Sequence, residues 1–323
     1  MNGSDHQPSR RDAIRIGLTT GLGLAVGRLP LGAQQMERAL ALLQQPLVTR
    51  PVPKSGEQLP VVGVGTNRYG VSTPEDIAAR CEVLKKLAEL GGKVIDTARG
   101  YGRAELVVGQ CVQDANLRDK LFIATKYSIG GRGGAADPRA GTEEAFTRLQ
   151  MQVIDLMMVH NMGGTDALLP VMFELKQAGR FRYVGISISS DRNYAEMATY
   201  MRDQPLDFVE VDYSLSNRNS AEQILPIAQE RGIAVLINIP FDGRGGSLIT
   251  QMAGKPLPDW AAEIDCTSWP QILLKYVASH PAVTCVHPGT TRVEHIVDNL
   301  GAARGRMPDA AMRTRIEQFY ETM

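Results

Sequence analysis

Strand-length apolar runs alternate with helix-length segments about eight times after residue 51, and nothing else in the chain restricts the fold as tightly. The runs at 93–98, 121–126, 153–160, 181–189, 207–214, 234–240 and 283–289 are nearly continuous in apolar residues rather than alternating. Continuous runs of this length belong to strands covered on both faces, which is the condition of a parallel sheet flanked by helices. The intervening segments at 73–92, 104–116, 141–150, 165–180, 193–204, 220–232, 269–280 and 292–303 read as helices. Thr73 supplies an N-cap, Pro74 a first helical residue and Gly91 a stop for the first of them. Units of roughly 30 residues repeated in this way predict an α/β fold of the (β/α)8 TIM-barrel type. A doubly wound open sheet is the competing architecture. It ordinarily carries a G-x-G-x-x-G turn running straight into a helix, and Gly63-Val64-Gly65-Thr66-Asn67 does not supply one. The segment 56–67 reads as an N-terminal β-hairpin and short strand, and 309–323 as an extra C-terminal helix.

Chemistry in such a barrel gathers where the strands end and the loops to the helices begin. The second strand ends in Asp96, with Tyr101 in the following loop; the third ends in Lys126 and the fourth in His160. A tyrosine hydroxyl, with an ordinary pKa near ~10, is a weak acid-base group at neutral pH unless a neighbouring ammonium favours its phenolate. Lys126 can do this, Asp96 can hold Lys126 charged, and His160 can orient a carbonyl oxygen through a ring N–H. The set suits proton delivery to a carbonyl oxygen, worth ~10²–10⁴-fold, and needs a redox cofactor because no side chain donates hydride.

The stretches at 55–67, 94–109, 122–126, 148–162, 179–187, 211–218 and 287–302 together resemble the aldo-keto reductase family, in family order and spacing, over about Pro51 to Ala303. The resemblance implies an NAD(P)(H)-dependent barrel that interconverts carbonyls and alcohols. It implies Tyr101 as general acid, tuned by Lys126, with Asp96 supporting Lys126 and His160 orienting a small-molecule carbonyl substrate. It further implies that NADP(H), or NAD(H), meets Gly65, Thr66, Asp96, Ser187, Glu210, Phe241, Gly243, Gly289, Thr290, Arg292, His295, Asp298 and Asn299. Four positions depart from the family pattern. Ile188 follows Ser187 where asparagine is common, Glu210 stands for a usual glutamine, and Asn238 and Asn67 stand where aromatics often occur. A barrel that keeps the four catalytic positions for non-redox carbonyl chemistry, or for binding and regulation, is the alternative.

Composition narrows the remaining classes. Lysine plus arginine and aspartate plus glutamate each number 35, with no basic run, which excludes an electrostatic nucleic-acid surface. Cys81, Cys111, Cys266 and Cys285 show no metal-ligand spacing and read as small buried hydrophobes, so no metal is expected. Glu105 reads as a helix cap or a brace for the Tyr101 loop; His280 and His287 read as structural; Trp260, Trp269, Met157, Met158 and Met162 read as packing.

Residues 1–33 carry Arg10-Arg11, a weakly apolar stretch without acids after Asp12, and small residues at Gly32-Ala33. This layout is similar to a twin-arginine export signal and is too short for a stable membrane span. Ala13 replaces a preferred aromatic, and Arg28 interrupts the apolar tail. Export through the twin-arginine machinery to the periplasm is the expectation; a basic N-terminal arm on a cytoplasmic protein is the alternative. The predicted division is thus signal at 1–33, linker or short helix at 34–50, and barrel at 51–323.

Overall fold

The computed structural model describes residues 41–42, 44–130, 137–242 and 246–323. The export reading at 1–33, most of the predicted linker, and Gly243 lie outside the described residues.

Strands β3 (Val64–Gly65), β4 (Val94–Asp96), β5 (Phe122–Tyr127), β6 (Ile154–His160), β7 (Phe181–Ser187), β8 (Phe208–Asp212), β9 (Ala234–Asn238) and β10 (Cys285–Val286) form one 8-stranded sheet in sequential order. All of its neighbours pair in parallel. Parallel bridges Val62↔Val286 and Gly65↔Gly289 join the first strand to the last, closing the ring. At this seam a Cβ on Gly65 would lie 2.9 Å from the carbonyl oxygen of His287, so the closure requires glycine. Helices α1 (Pro74–Glu89), α2 (Ala104–Asp114), α3 (Pro138–Leu149), α4 (Thr165–Gln177), α5 (Tyr194–Asp203), α6 (Ser220–Arg231), α8 (Trp269–Ala278) and α9 (Val293–Gly301) follow the strands in turn. A short α7 (Leu248–Met252) and a 3-10 turn at Asp259–Ile264 precede α8, and α10 (Ala310–Glu321) ends the chain.

The hairpin is offset from its predicted position. β1 (Thr49–Pro51) pairs with β2 (Gln58–Pro60), so Thr49 and Arg50, read as linker, are strand. Val52 and Leu59 from this hairpin are fully buried and join the cluster that fills the barrel. Tyr183 hydrogen-bonds Ser55 and Glu57 at 2.7 Å each, fastening the hairpin beneath the barrel. This plug anchors the chain earlier than sequence periodicity suggested.

Side chains alternate along each strand, so one parity of every strand points inward. The inward cluster is Val94, Phe122, Ala124, Leu156, Met158, Tyr183, Phe208, Ala234, Leu236 and Cys285. Extending each strand by the same parity toward its C-terminal end reaches Asp96, Lys126, His160, Ser187, Glu210, Asn238 and His287 in turn. The lower barrel is therefore apolar and the layer above it polar. The opposite parity, including Ile95, Ile123, Met157, Ile186, Val209, Val235 and Ile237, packs under the helices in the larger outer core.

One expectation is corrected outright. Cys81 and Cys111 form a disulfide that ties α1 to α2. Both sulfurs lie on the buried sides of adjacent helices, and that placement, invisible to sequence spacing, brings them together. Cys266 and Cys285 are free and buried as expected.

Candidate active site

The polar layer converges on Lys126, which is fully buried. Its Nζ donates to Asp96 Oδ1 at 2.5 Å, to Asp96 Oδ2 at 2.6 Å and to the carbonyl of Thr97 at 3.2 Å. Glu210 Oε2 lies 3.2 Å from the same nitrogen. Glu210 Oε1 accepts from Ser187 Oγ at 3.2 Å and from Asn238 Nδ2 at 2.9 Å. His287, read from sequence as structural, closes the cluster: Nδ1 is 3.7 Å from Asp96 Oδ2 and Nε2 is 3.6 Å from Glu210 Oε2. Asp96, Glu210 and His287 place potential metal-ligand atoms within 4.8 Å of one another. The ammonium of Lys126 already occupies the cationic position among them, and a divalent ion there would meet it.

Tyr101 enters from a 3-10 turn at Arg99–Tyr101. Arg99 holds that turn through two hydrogen bonds to Glu144, at 3.0 and 3.2 Å. From the other side, Arg148 donates to the carbonyl of Gly102 at 2.5 Å and to Glu105 Oε2 at 2.8 Å. Glu105 Oε1 accepts from Thr125 at 2.6 Å, so the buried glutamate links the Tyr101 loop to β5. The bracing reading of Glu105 thus matches its contacts. Lys126 Nζ lies 5.4 Å from the centre of the Tyr101 ring. The rings of Tyr101 and His160 meet edge-on, with centroids 5.8 Å apart. Asp96, Tyr101, Lys126 and His160 therefore share one small volume.

The electrostatics differ from expectation in one respect. Lys126 draws the Tyr101 phenol down, but burial and the charges of Asp96 and Glu210 outweigh it and push the pKa up to about 12. Burial, with the negative charge of the Asp96–Glu210 pair behind it, outweighs the expected acidification of Tyr101 by Lys126. Burial opposes the charge on Lys126, yet Asp96, Glu210 and Tyr101 reverse this and raise its pKa. Burial, then the Glu210 charge, push Asp96 well above the ordinary carboxylate range against the pull of Lys126. Burial also pushes Glu210 upward, but Lys126, His287, the Asn238 amide and the Asp96 carboxyl hold it down at about 2. Burial and Lys126 hold His160 at about 4, so its ring is neutral at pH 7.

The other sequence-derived positions are spread over the barrel seam, the loop after β9 and helix α9. Thr66 is buried and donates to the carbonyl of Asp96 at 2.8 Å. Gly65 and Gly289 form the barrel seam. Phe241 packs against the core just beyond β9. There Ile239 is 42% exposed and adopts φ 39°, a conformation costly for a β-branched residue and typical of strained functional sites. Arg292 and His295 are exposed at the start of α9, where Arg292 is the N-cap and provides no side-chain cap. Thr290 Oγ1 instead accepts from the backbone N–H of Arg292 at 3.3 Å. Asp298 accepts from Ser268 at 2.8 and 2.9 Å and from Gln271 at 2.9 Å, and Asn299 is buried. Asp298 thus ties α9 to the start of α8.

The family model described as "Aldo/keto reductase family" matches residues 61–321. Among curated proteins, the chain is 28% identical over 283 residues to "Uncharacterized oxidoreductase YqkF" of Bacillus subtilis, covering 76% of this chain and 87% of that protein. It is 30% identical over 193 residues to "Aldo-keto reductase YhdN" of the same organism, covering 54% of this chain and 56% of that one. Among solved structures, the holo form of aldo-keto reductase AKR11C1 from Bacillus halodurans superposes with a TM-score of 0.67 at 24% identity, over 84% of this chain and 96% of that one. An aldo/keto reductase from Klebsiella pneumoniae, in complex with NADP and acetate, gives 0.67 at 23% identity, over 85% and 96%.

Proposed function

The chain belongs to the aldo/keto reductase family, and from that premise we propose that it reduces a small aldehyde or ketone to the alcohol with NADP(H), Tyr101 acting as the general acid. The observation carrying this reading is the convergence of Tyr101, Lys126, Asp96 and His160 at one end of the barrel interior.

The residues present fit a nicotinamide dinucleotide. Asn238 Nδ2 faces two acceptors, the carbonyl of Ile188 at 2.8 Å and Glu210 Oε1 at 2.9 Å, which fixes the amide's orientation. Its Oδ1 is consequently a buried acceptor without a partner, suited to the carboxamide N–H of a nicotinamide. At the phosphate end, the first turn of α9 presents N–H groups free of any side-chain cap, with Arg292 alongside. The bound cofactor would supply hydride. The Klebsiella protein named above was solved with NADP, and that supports the phosphorylated form as the partner here.

Within this scheme the chain's own groups handle orientation and the proton. His160, neutral at pH 7, can donate one ring N–H to the substrate oxygen without adding charge. Tyr101 Oη, kept protonated by burial and by the carboxylate charge beneath it, gives its proton to that oxygen. Lys126 stabilises the phenolate left behind. The buried floor excludes water from below, strengthening each of these interactions.

Fluorescence titration with NADPH and NADH tests cofactor binding. Tyr101→Phe assayed against a carbonyl panel tests the acid. Unchanged turnover by that variant would remove Tyr101 from the mechanism.

We further propose that the protein is exported, in keeping with the paired arginines at its N-terminus. The Cys81–Cys111 disulfide supports this reading, since such bonds persist in oxidising compartments. Among the described residues, no helix is long and apolar enough to cross a membrane. Fractionation of cells expressing Arg10→Lys/Arg11→Lys protein tests it: retention in the cytoplasm is expected, and undiminished export would overturn the twin-arginine route.

A further inference from the structure

The floor of the site holds more negative than positive charge unless a proton is added. Lys126 contributes one ammonium, and two carboxylates lie within 3.2 Å of it, both less than 3% exposed. One carboxylate oxygen of Asp96 and one of Glu210 lie within 4.8 Å of each other. Two ionised carboxylates at that separation repel, and neither has a donor to offer the other. The Cys285 thiol, kept protonated by burial and the Asp96 charge, and His287 are the remaining titratable neighbours. The ring nitrogens of His287 stand 3.7 and 3.6 Å from the two carboxylates, beyond hydrogen-bond length, and Nε2 is left without a partner together with Glu210 Oε2. Ser187 and Asn238, which donate to Glu210 Oε1, are neutral. Tyr101 and His160 face the cluster from above and carry no charge at pH 7.

We propose that Asp96 and Glu210 share one acid proton beside Lys126 at neutral pH, and that Glu210 is the positioning residue that creates this store. The shared proton restores neutrality to one ammonium and two carboxyl groups in a volume water does not reach. Like carboxyl groups packed together cannot both ionise cheaply, and only one ammonium is available to compensate them. Its use in turnover rests on the carbonyl-reducing reading. After the O–H bond of Tyr101 breaks and a new O–H bond forms on the product oxygen, Lys126 passes a proton to the phenolate. The Asp96–Glu210 pair then passes its proton to the Lys126 amine, leaving both carboxylates ionised until solvent returns one proton. Tyr101 is thus refilled from within the site. A glutamine at 210 would carry no acid proton, and refilling would then wait on solvent.

Infrared difference spectroscopy tests the store directly. Wild-type protein at pH 7 should show the carbonyl stretch of a protonated carboxyl group, shifted in D2O and absent from Glu210→Gln. Identical carboxyl spectra for the two proteins would overturn the shared proton. Should the variant not fold, carbon NMR of aspartate-labelled wild type serves instead, and Asp96 should keep its protonated chemical shift up to neutral pH. An Asp96 signal already fully ionised there would overturn the proposal. For refilling, Glu210→Gln should turn over about ten times more slowly than wild type in dilute buffer. Its rate should rise with the concentration of a small buffer acid such as imidazolium, while the wild-type rate does not. A variant rate equal to wild type and independent of buffer would overturn that role. If Tyr101→Phe retains full turnover, the reductase reading fails, yet the spectra still decide whether the proton is shared.

Discussion

Reducing the Cys81–Cys111 bond should weaken the barrel by an amount that follows from its place in the chain. The bond closes a loop with a sequence separation of 30 residues, joining consecutive helices that flank β4. The chain-entropy relation gives about 3.6 kcal/mol for a loop of that length at 25 °C. A domain of roughly 290 residues unfolds with an entropy of about 0.6 kcal/mol per kelvin, so the midpoint should fall by about 6 °C on reduction. Thiol titration of denatured protein comes first: two reactive thiols, from Cys266 and Cys285, before reductant and four after it. Thermal and urea melts with and without a phosphine reductant then measure the loss, and the same melts on Cys81→Ala/Cys111→Ala protein should show no reductant effect. Four free thiols in unreduced protein would refute the pairing. Two thiols with unchanged melting would show that the α1–α2 pair stays closed in the denatured chain, and the loop argument would fail.

Tyr101→Phe should lower turnover by ~10²–10⁴-fold while leaving NADPH affinity, read by fluorescence, within about twofold. Arg148→Met removes the cation paired with fully buried Glu105 and the donor to the Gly102 carbonyl. It should cost about 3–5 kcal/mol in urea denaturation and slow turnover as the Tyr101 loop loosens; a stable, fully active variant would remove the brace from the argument. Stability should also depend on acid. Burial holds His160 and His287 at about 4, below the ~6.5 of an unfolded histidine. The unfolded chain therefore binds more protons at these two rings between those values, and their contribution to stability is complete above pH ~6.5 and declines as pH falls toward 4. Urea midpoints at pH 7, 5.5 and 4.5 should drop in that order, and His287→Gln should flatten part of the decline.

The barrel was legible because strand and helix periods differ and the runs were long. Asp96, Tyr101, Lys126 and His160 were legible because each ends an apolar run or lies in the loop that follows one. Glu210 and His287 needed a finer reading. Counting by twos from Phe208 reaches Glu210, and from Cys285 reaches His287, placing both in the layer that holds Lys126. Read one at a time, His287 looked structural and Glu210 looked like a cofactor ligand. The disulfide was not legible, since its formation depends on the rotation of α1 and α2 about their axes. Nor was the segment between β9 and α8, where Trp260 and Trp269 pack on Phe319 of α10 at 5.6 and 6.2 Å. That docking involves residues roughly 50 apart with no shared periodicity.

The hairpin beneath the barrel makes the interior a cup rather than a channel. Traffic then passes through a single mouth, and whatever lies deepest must enter first and leave last. The partnerless Asn238 oxygen sits beside Glu210 in the upper interior layer, so a ligand seated on it must come and go through that mouth.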